Sequence, residues 1–357
     1  VDLALDRQRF AAAAGAVVLA TAVFCAWVGL RIGGTEATLW FDDVATPLAA
    51  LLACVLCARA RARHRDDELR LFWTLLAAAM ASWTAAELIW GYYALILAVA
   101  VPVPSWADVG YLGAIPLAVA ALIAHPATRG NGARSARRVF EGLLVATSLL
   151  FLSWTVVLGP LWHHTDLSTL GGIVTVAYPF GDVVIVFFIV LAIRGMTGGA
   201  RLALWCLLAG LMAMAISDST FTYLTDTASY TSPGLVDAGW VAAYLAIGLS
   251  AFCSQPADEA AVRPGHGTPS LASLVAPIMP VLIALALAAV EIRLGHRLGE
   301  AAWLMLLGLI VLVLTRQVLA VIELLGPAHA DERGLMARLV EMVLGQGHAG
   351  HGSGSAL

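Results

Sequence analysis

Apolar runs of eighteen or more residues follow one another along the chain, broken by short polar or arginine-bearing stretches. Each run is long enough to cross a ~30 Å hydrocarbon core. The breaks predict ten spans, at roughly residues 10–31, 43–60, 71–96, 107–125, 139–162, 172–193, 201–224, 235–253, 271–291 and 301–323. The expected fold class is all-α, a polytopic membrane helix bundle occupying residues 1–326. The first span follows Arg7 and Arg9 and has no small-residue cleavage site, so it reads as a span and not a leader. Beyond the tenth, Leu335, Met336, Leu339, Val340 and Val343 share one helical face, predicting a short amphipathic helix over 327–346 on the membrane or against a partner. The Gly/Ser-rich end, 347–357, is expected to be disordered.

Composition strengthens this picture: 61% of residues are hydrophobic and 12% charged, against about a quarter charged in soluble domains. The cations are all arginine, and their placement sets the orientation. With the N-terminus inside, every arginine except Arg31, Arg293 and Arg297 falls on the inner side. Both termini are therefore expected in the cytoplasm, in a bacterial cytoplasmic membrane. A net charge of −4 gives no nucleic-acid surface. Cys54 and Cys57 have redox or metal spacing, but they lie inside a span with no second pair and read as small packing residues. No cofactor or metal site is expected. His163 and His164 stand beside Asp166 at an outer end and read as loop histidines, and Pro277 and Pro280 predict a kink in the ninth span.

The outer connections repeat a pattern. Asp43, Asp108, Asp237 and Glu300 open the second, fourth, eighth and tenth spans, and Asp182 follows Tyr178-Pro-Phe-Gly181 in the sixth. Five helical hairpins of common ancestry would produce this spacing. The clearest pair is Pro104-Ser-Trp-Ala-Asp108-Val-Gly-Tyr111 and Pro233-Gly-Leu-Val-Asp237-Ala-Gly-Trp240. For Asp43 and Glu300, helix capping is the expected role. Pro179 and Gly181 predict a kinked or broken sixth helix with Asp182 part-way into the bilayer.

Glu87 and Asp218 lie ~24–26 Å from the inner ends of their spans, in the outer third. Carboxylates at that depth usually face a bundle interior or a wet cavity. Trp83, Glu87 and Trp90 follow i, i+4, i+7, so an acid stands between two indoles on one face. Two readings stay open: interfacial aromatics with acids bonded to neighbouring helices, or a ligand pocket opening outward. In the second, Glu87, Asp108, Asp182, Asp218 and Asp237 line the pocket. Trp83, Trp90, Trp106, Tyr111, Tyr178, Tyr223 and Trp240 form its walls. Carboxylates with aromatic faces suit a small cationic or amphipathic ligand, and proton sensing is a further option.

Several motifs in order carry a family resemblance. They are Glu87…Trp90, Pro102-x-Pro104-Ser-x-Ala-Asp108-x-x-Tyr111-Leu, Arg138-x-x-x-Glu141-Gly-Leu and Tyr178-Pro-x-Gly-Asp182. Asp237-x-x-Trp240-x-x-x-Tyr244 and Arg316-Gln-Val-Leu complete the set. Over roughly 40–325 the chain resembles the multi-span N-terminal sensor region of actinobacterial diguanylate cyclase and phosphodiesterase proteins with GGDEF and EAL domains. The resemblance implies a sensory role. In those relatives a cytoplasmic signalling domain follows the last span; here about 37 residues follow Arg316-Gln-Val-Leu, so either the module acts through a separate signalling partner or second copy, or an output domain has been removed. A membrane sensory or regulatory module, signalling through the cytoplasmic end of the tenth helix, is the leading expectation. A secondary, possibly proton-coupled, transporter is the alternative. An intramembrane enzyme is the least favoured, because no nucleophile–base pair, zinc-protease motif or phosphate loop is present.

Overall fold

The computed structural model describes residues 2–126, 133–155, 159, 169–195, 201–227, 229–230, 232–254, 279–295 and 298–319. These residues are all-α. The helices are α1 (Asp2–Leu30), α2 (Gly34–Arg63), α3 (Asp67–Gly91) with a π-helical turn at Tyr92–Ile96, α4 (Trp106–Ala124) and α5 (Ala133–Ser153). They continue with α6 (Leu170–Gly195), α7 (Arg201–Asp226), α8 (Asp237–Cys253), α9 (Met279–Arg293) and α10 (Glu300–Leu319). Seven of the described helices are long and apolar enough to cross a membrane; the apolar stretches of α5 and α8 are shorter. The His163–His164 pair, Pro277, the expected 327–346 helix and the 347–357 tail lie outside the described residues.

Six helices close a ring. α2 packs on α3, α3 on α4, α4 on α6, α6 on α7, α7 on α8, and α8 returns to α2. α1 covers the α2–α8 seam and α5 lies against α6. The half of the ring toward Arg63 and His64 is filled by apolar side chains, among them Phe72, Leu76, Leu122, Ile189, Leu207 and Ile247, all fully buried. Cys57 is part of this packing, as its apolar setting suggested, and Cys54 gives its thiol to the Ala77 carbonyl. A second apolar cluster joins α5, α9 and α10 through Leu144, Phe151, Ala284 and Leu309. Beside it, Glu141 of α5 and Arg316 of α10 form a buried ion pair at 3.4 Å. Charges this deep persist only when paired.

Contacts at the polar ends give the relative direction of two ring helices. At one end, Arg63 of α2 donates to the Phe252 carbonyl of α8, and His64 bonds Ser254 at 2.7 Å, so α2 and α8 run parallel. There too His125, just past α4, meets the Phe72 ring edge-on.

Glycines set the closest helix approaches, and two of them match. A methyl on Gly110 of α4 would stand 2.9 Å from both the Ala86 Cβ and the Ser82 carbonyl of α3. A methyl on Gly239 of α8 would collide with Ser217 of α7 and approach the Ala213 carbonyl. In each hairpin the glycine thus sits on residues i and i+4 of the preceding helix, one residue before that helix's buried acid (Glu87 or Asp218). The Val103–Pro104 and Ser232–Pro233 peptide bonds, at the same place in the two turns, are both cis.

Two local expectations are corrected. Asp43 does not open a helix: α2 starts at Gly34, two turns earlier. Gly33 and Gly34, at φ of 85° and 88°, make the turn that starts it, a conformation glycine adopts at little cost. Asp42 and Asp43 therefore face inward from within the helix. The sixth helix is also not broken; α6 runs unbroken past Pro179. Gly181 serves close packing, because a side chain there would overlap Ile115 of α4. Pro280 is the second described residue of α9.

Candidate functional site

The half of the ring away from Arg63 and His64 encloses a cavity of about 310 Å³, within the size range of ligand pockets. All six ring helices reach it, each with one face. On α3 the face is Trp83, Glu87 and Trp90; on α4 it is Asp108, Tyr111 and Ile115. On α6 it is Thr175, Tyr178 and Asp182, and on α8 Asp237, Trp240 and Tyr244. These are steps of i, i+3 or i+4, and i+7, the spacing that stacks residues over two turns. On α7, Met214, Asp218, Phe221, Thr222 and Thr225 continue the pattern, and α2 supplies Asp42, Asp43 and Thr46.

All five expected acids therefore converge, as do Trp83, Trp90, Tyr111, Tyr178 and Trp240. Trp106 and Tyr223 do not. Trp106 is 73% exposed at the first position of α4, and Tyr223 is 47% exposed. Each is turned off its helix's inward face: Asp108 and Tyr111 point in where Trp106 cannot, and Asp218, Phe221 and Thr222 do so in place of Tyr223. Conversely, Asp42, Phe221, Tyr230 and Tyr244 line the cavity without having been among its expected residues, and Asp43 was expected only to cap a helix. Tyr244 had a signal available, since it lies four residues after Trp240 on the same face as Asp237.

Most of the acids are held by donors. The Glu87 carboxylate accepts from the Tyr244 hydroxyl at 2.7 Å and is also bonded by Tyr111. Asp218 accepts from the Trp240 indole N–H at 2.6 Å. Asp108 takes the Ser105 N–H at 2.6 Å on one oxygen and the Tyr178 hydroxyl at 2.6 Å on the other. Asp237 is treated alike, with the Gly234 N–H at 2.7 Å and the Tyr230 hydroxyl at 3.1 Å. The two readings of these last acids are thus compatible: one oxygen caps the turn and the other faces an aromatic hydroxyl in the cavity wall. Asp42 contacts the Asp237 carboxyl.

Three carboxylates are not fully met. Asp42 Oδ1, Asp43 Oδ2 and Asp182 Oδ2 are buried with no hydrogen-bond partner. Among the described residues no arginine or histidine lines the cavity to balance seven acids. Among the described residues no group of three or more histidines, cysteines or acids is arranged to hold a metal ion. Aromatic rings complete the wall: Phe221 meets Trp90, Tyr230 and Trp240 edge-on, and Tyr111 meets Tyr178.

No family model, curated protein or solved structure matches the chain.

Proposed function

We propose that the protein is a membrane sensory module whose ring of helices binds a small organic cation in this acidic–aromatic cavity. The observation that carries the reading is the lining itself, with seven carboxylates, eight aromatic side chains and, among the described residues, no basic group around one space. Buried carboxylates without cationic partners need a counter-charge, and aromatic faces stabilise alkylammonium groups. The arginine distribution supports an outward-facing cavity, both termini in the cytoplasm and ten spans in all.

The path to the cytoplasmic side runs through α6. It carries Tyr178 and Asp182, packs on α5 by way of Gly142 against Phe187, and reaches α10 through Glu141 and Arg316. Occupancy of the cavity would bias α6 against α5 and so shift the end of α10. A transporter reading draws support from the matched α3–α4 and α7–α8 hairpins, which fit descent from a duplicated unit. The apolar packing below the cavity favours sensing, because it leaves no polar route inward.

Titration of the protein in lipid nanodiscs tests the reading, using tryptophan fluorescence because Trp83, Trp90 and Trp240 line the cavity. Pentylamine is expected to give a saturable change, and pentanol, its neutral counterpart, none. Absence of saturation with the amine, or equal responses to both, would remove the cation site.

A further inference from the structure

We infer that the cavity is built for a ligand with two cationic ends, an α,ω-diaminoalkane in chemical class. The inference rests on the cation-site reading and adds to it how charge is distributed around the ring. Four of the acids, Glu87, Asp108, Asp218 and Asp237, have protein donors at 2.6–3.1 Å. Each thus has at least one oxygen committed to the scaffold. The oxygens without partners belong to Asp42 and Asp43 on α2 and to Asp182 on α6. Asp42 and Asp182 are only 4% and 8% exposed, so bulk water does not serve them.

The ring order is α2, α3, α4, α6, α7, α8. α2 and α6 are three places apart and stand across the cavity from one another. Uncommitted negative charge is therefore split between two opposing walls. Between them the lining includes apolar and aromatic surface from Trp83, Ile115, Met214 and Tyr244. Ammonium groups at both ends of a methylene chain match that layout: each end meets an uncommitted carboxylate, and the chain lies against the apolar middle. A monoamine would satisfy one wall and leave a buried acid on the other without a counter-charge. Selectivity then comes from the cost of that unpaired group, as in sites that reject a ligand lacking one polar contact.

Isothermal titration of the full chain in nanodiscs with 1,5-diaminopentane and with pentylamine tests this. The expected result is at least ~10-fold tighter binding of the diamine. In Asp182→Asn the two amines are expected to bind alike, because only one wall still carries uncommitted charge. The double variant Asp42→Asn/Asp43→Asn approaches the question from the opposite wall and serves if Asp182→Asn does not fold. Equal affinities in the unaltered protein, or a diamine preference that survives both variants, would overturn the two-ended ligand while leaving the cation site standing. If neither amine binds, the cation site itself fails and the inference with it.

Discussion

Single residues in this protein carry two duties at once. Asp108 and Asp237 each hold a turn with one oxygen and an aromatic hydroxyl with the other. The glycines beside them allow the helices to approach closely enough for the acids to converge. Gly110 is the sharper case, since an added methyl meets backbone and Cβ atoms at 2.9 Å, neither of which can swing away. Gly110→Ala is expected to destabilise the fold by about 1–3 kcal/mol, the usual cost of overpacking. Gly308→Ala on α10, where nothing lies within 4 Å, should leave stability unchanged or raise it, because alanine is the better helix former. Thermal unfolding of both variants in the same detergent provides the comparison, and equal losses would contradict the packing account. At this scale the sequence was a partial guide. Acid and aromatic residues at i, i+3 or i+4, and i+7 in apolar runs announced an inward face. Trp106 and Tyr223 were misassigned because closeness to an acid along the chain does not give direction around a helix. Asp42 was hidden by the expectation that Asp43 began a helix, although Gly33-Gly34 marked an earlier start.

At the scale of helices, the hairpins were legible and their partners were not. Apolar period and turn chemistry located the described helices, although α2 starts nine residues before its expected span, and the shared Pro-x-x-x-Asp-x-Gly turns pointed to two similar hairpins. Nothing local indicated that α2 would pack on α8, or that Glu141 would find Arg316, because such pairings are settled by packing across distant segments. That ion pair joins α10 to the rest of the bundle. Replacing one member, as in Glu141→Gln, removes the carboxylate from beside a buried guanidinium and is expected to cost ~3–5 kcal/mol. The double replacement Glu141→Leu/Arg316→Met should recover most of that loss, since an apolar pair needs no desolvation. Failure of the double variant to recover would mean that the pair does more than compensate charge.

The arginine-rich end makes a separate pH claim. Burial, followed by the nearby His64, holds His125 down to about 4 from the ordinary 6.5. The unfolded chain takes up that proton between these values and the folded protein does not. Stability contributed by neutral His125 is therefore complete above pH ~6.5 and is lost as pH falls toward 4, at up to ~1.4 kcal/mol per pH unit. Unfolding measured across that window should show the loss, and His125→Gln should flatten it.

For the whole molecule, the ring order explains how segments far apart in sequence build one site. Six helices each give one face to the cavity, and the other half of the ring, toward Arg63 and His64, is closed by apolar side chains. That closure means that proteoliposomes should not accumulate radiolabelled pentylamine down an imposed gradient. Uptake above that of empty liposomes would favour transport over sensing. The most direct test of the central claim is a structure in lipid nanodiscs at saturating pentylamine. The account expects ligand density inside the ring, its ammonium against Asp182 or the Asp42–Asp43 pair and its chain beside Trp83 and Tyr244. A cavity still empty at saturation, or amine density found only on the outer surface of the bundle, would contradict it.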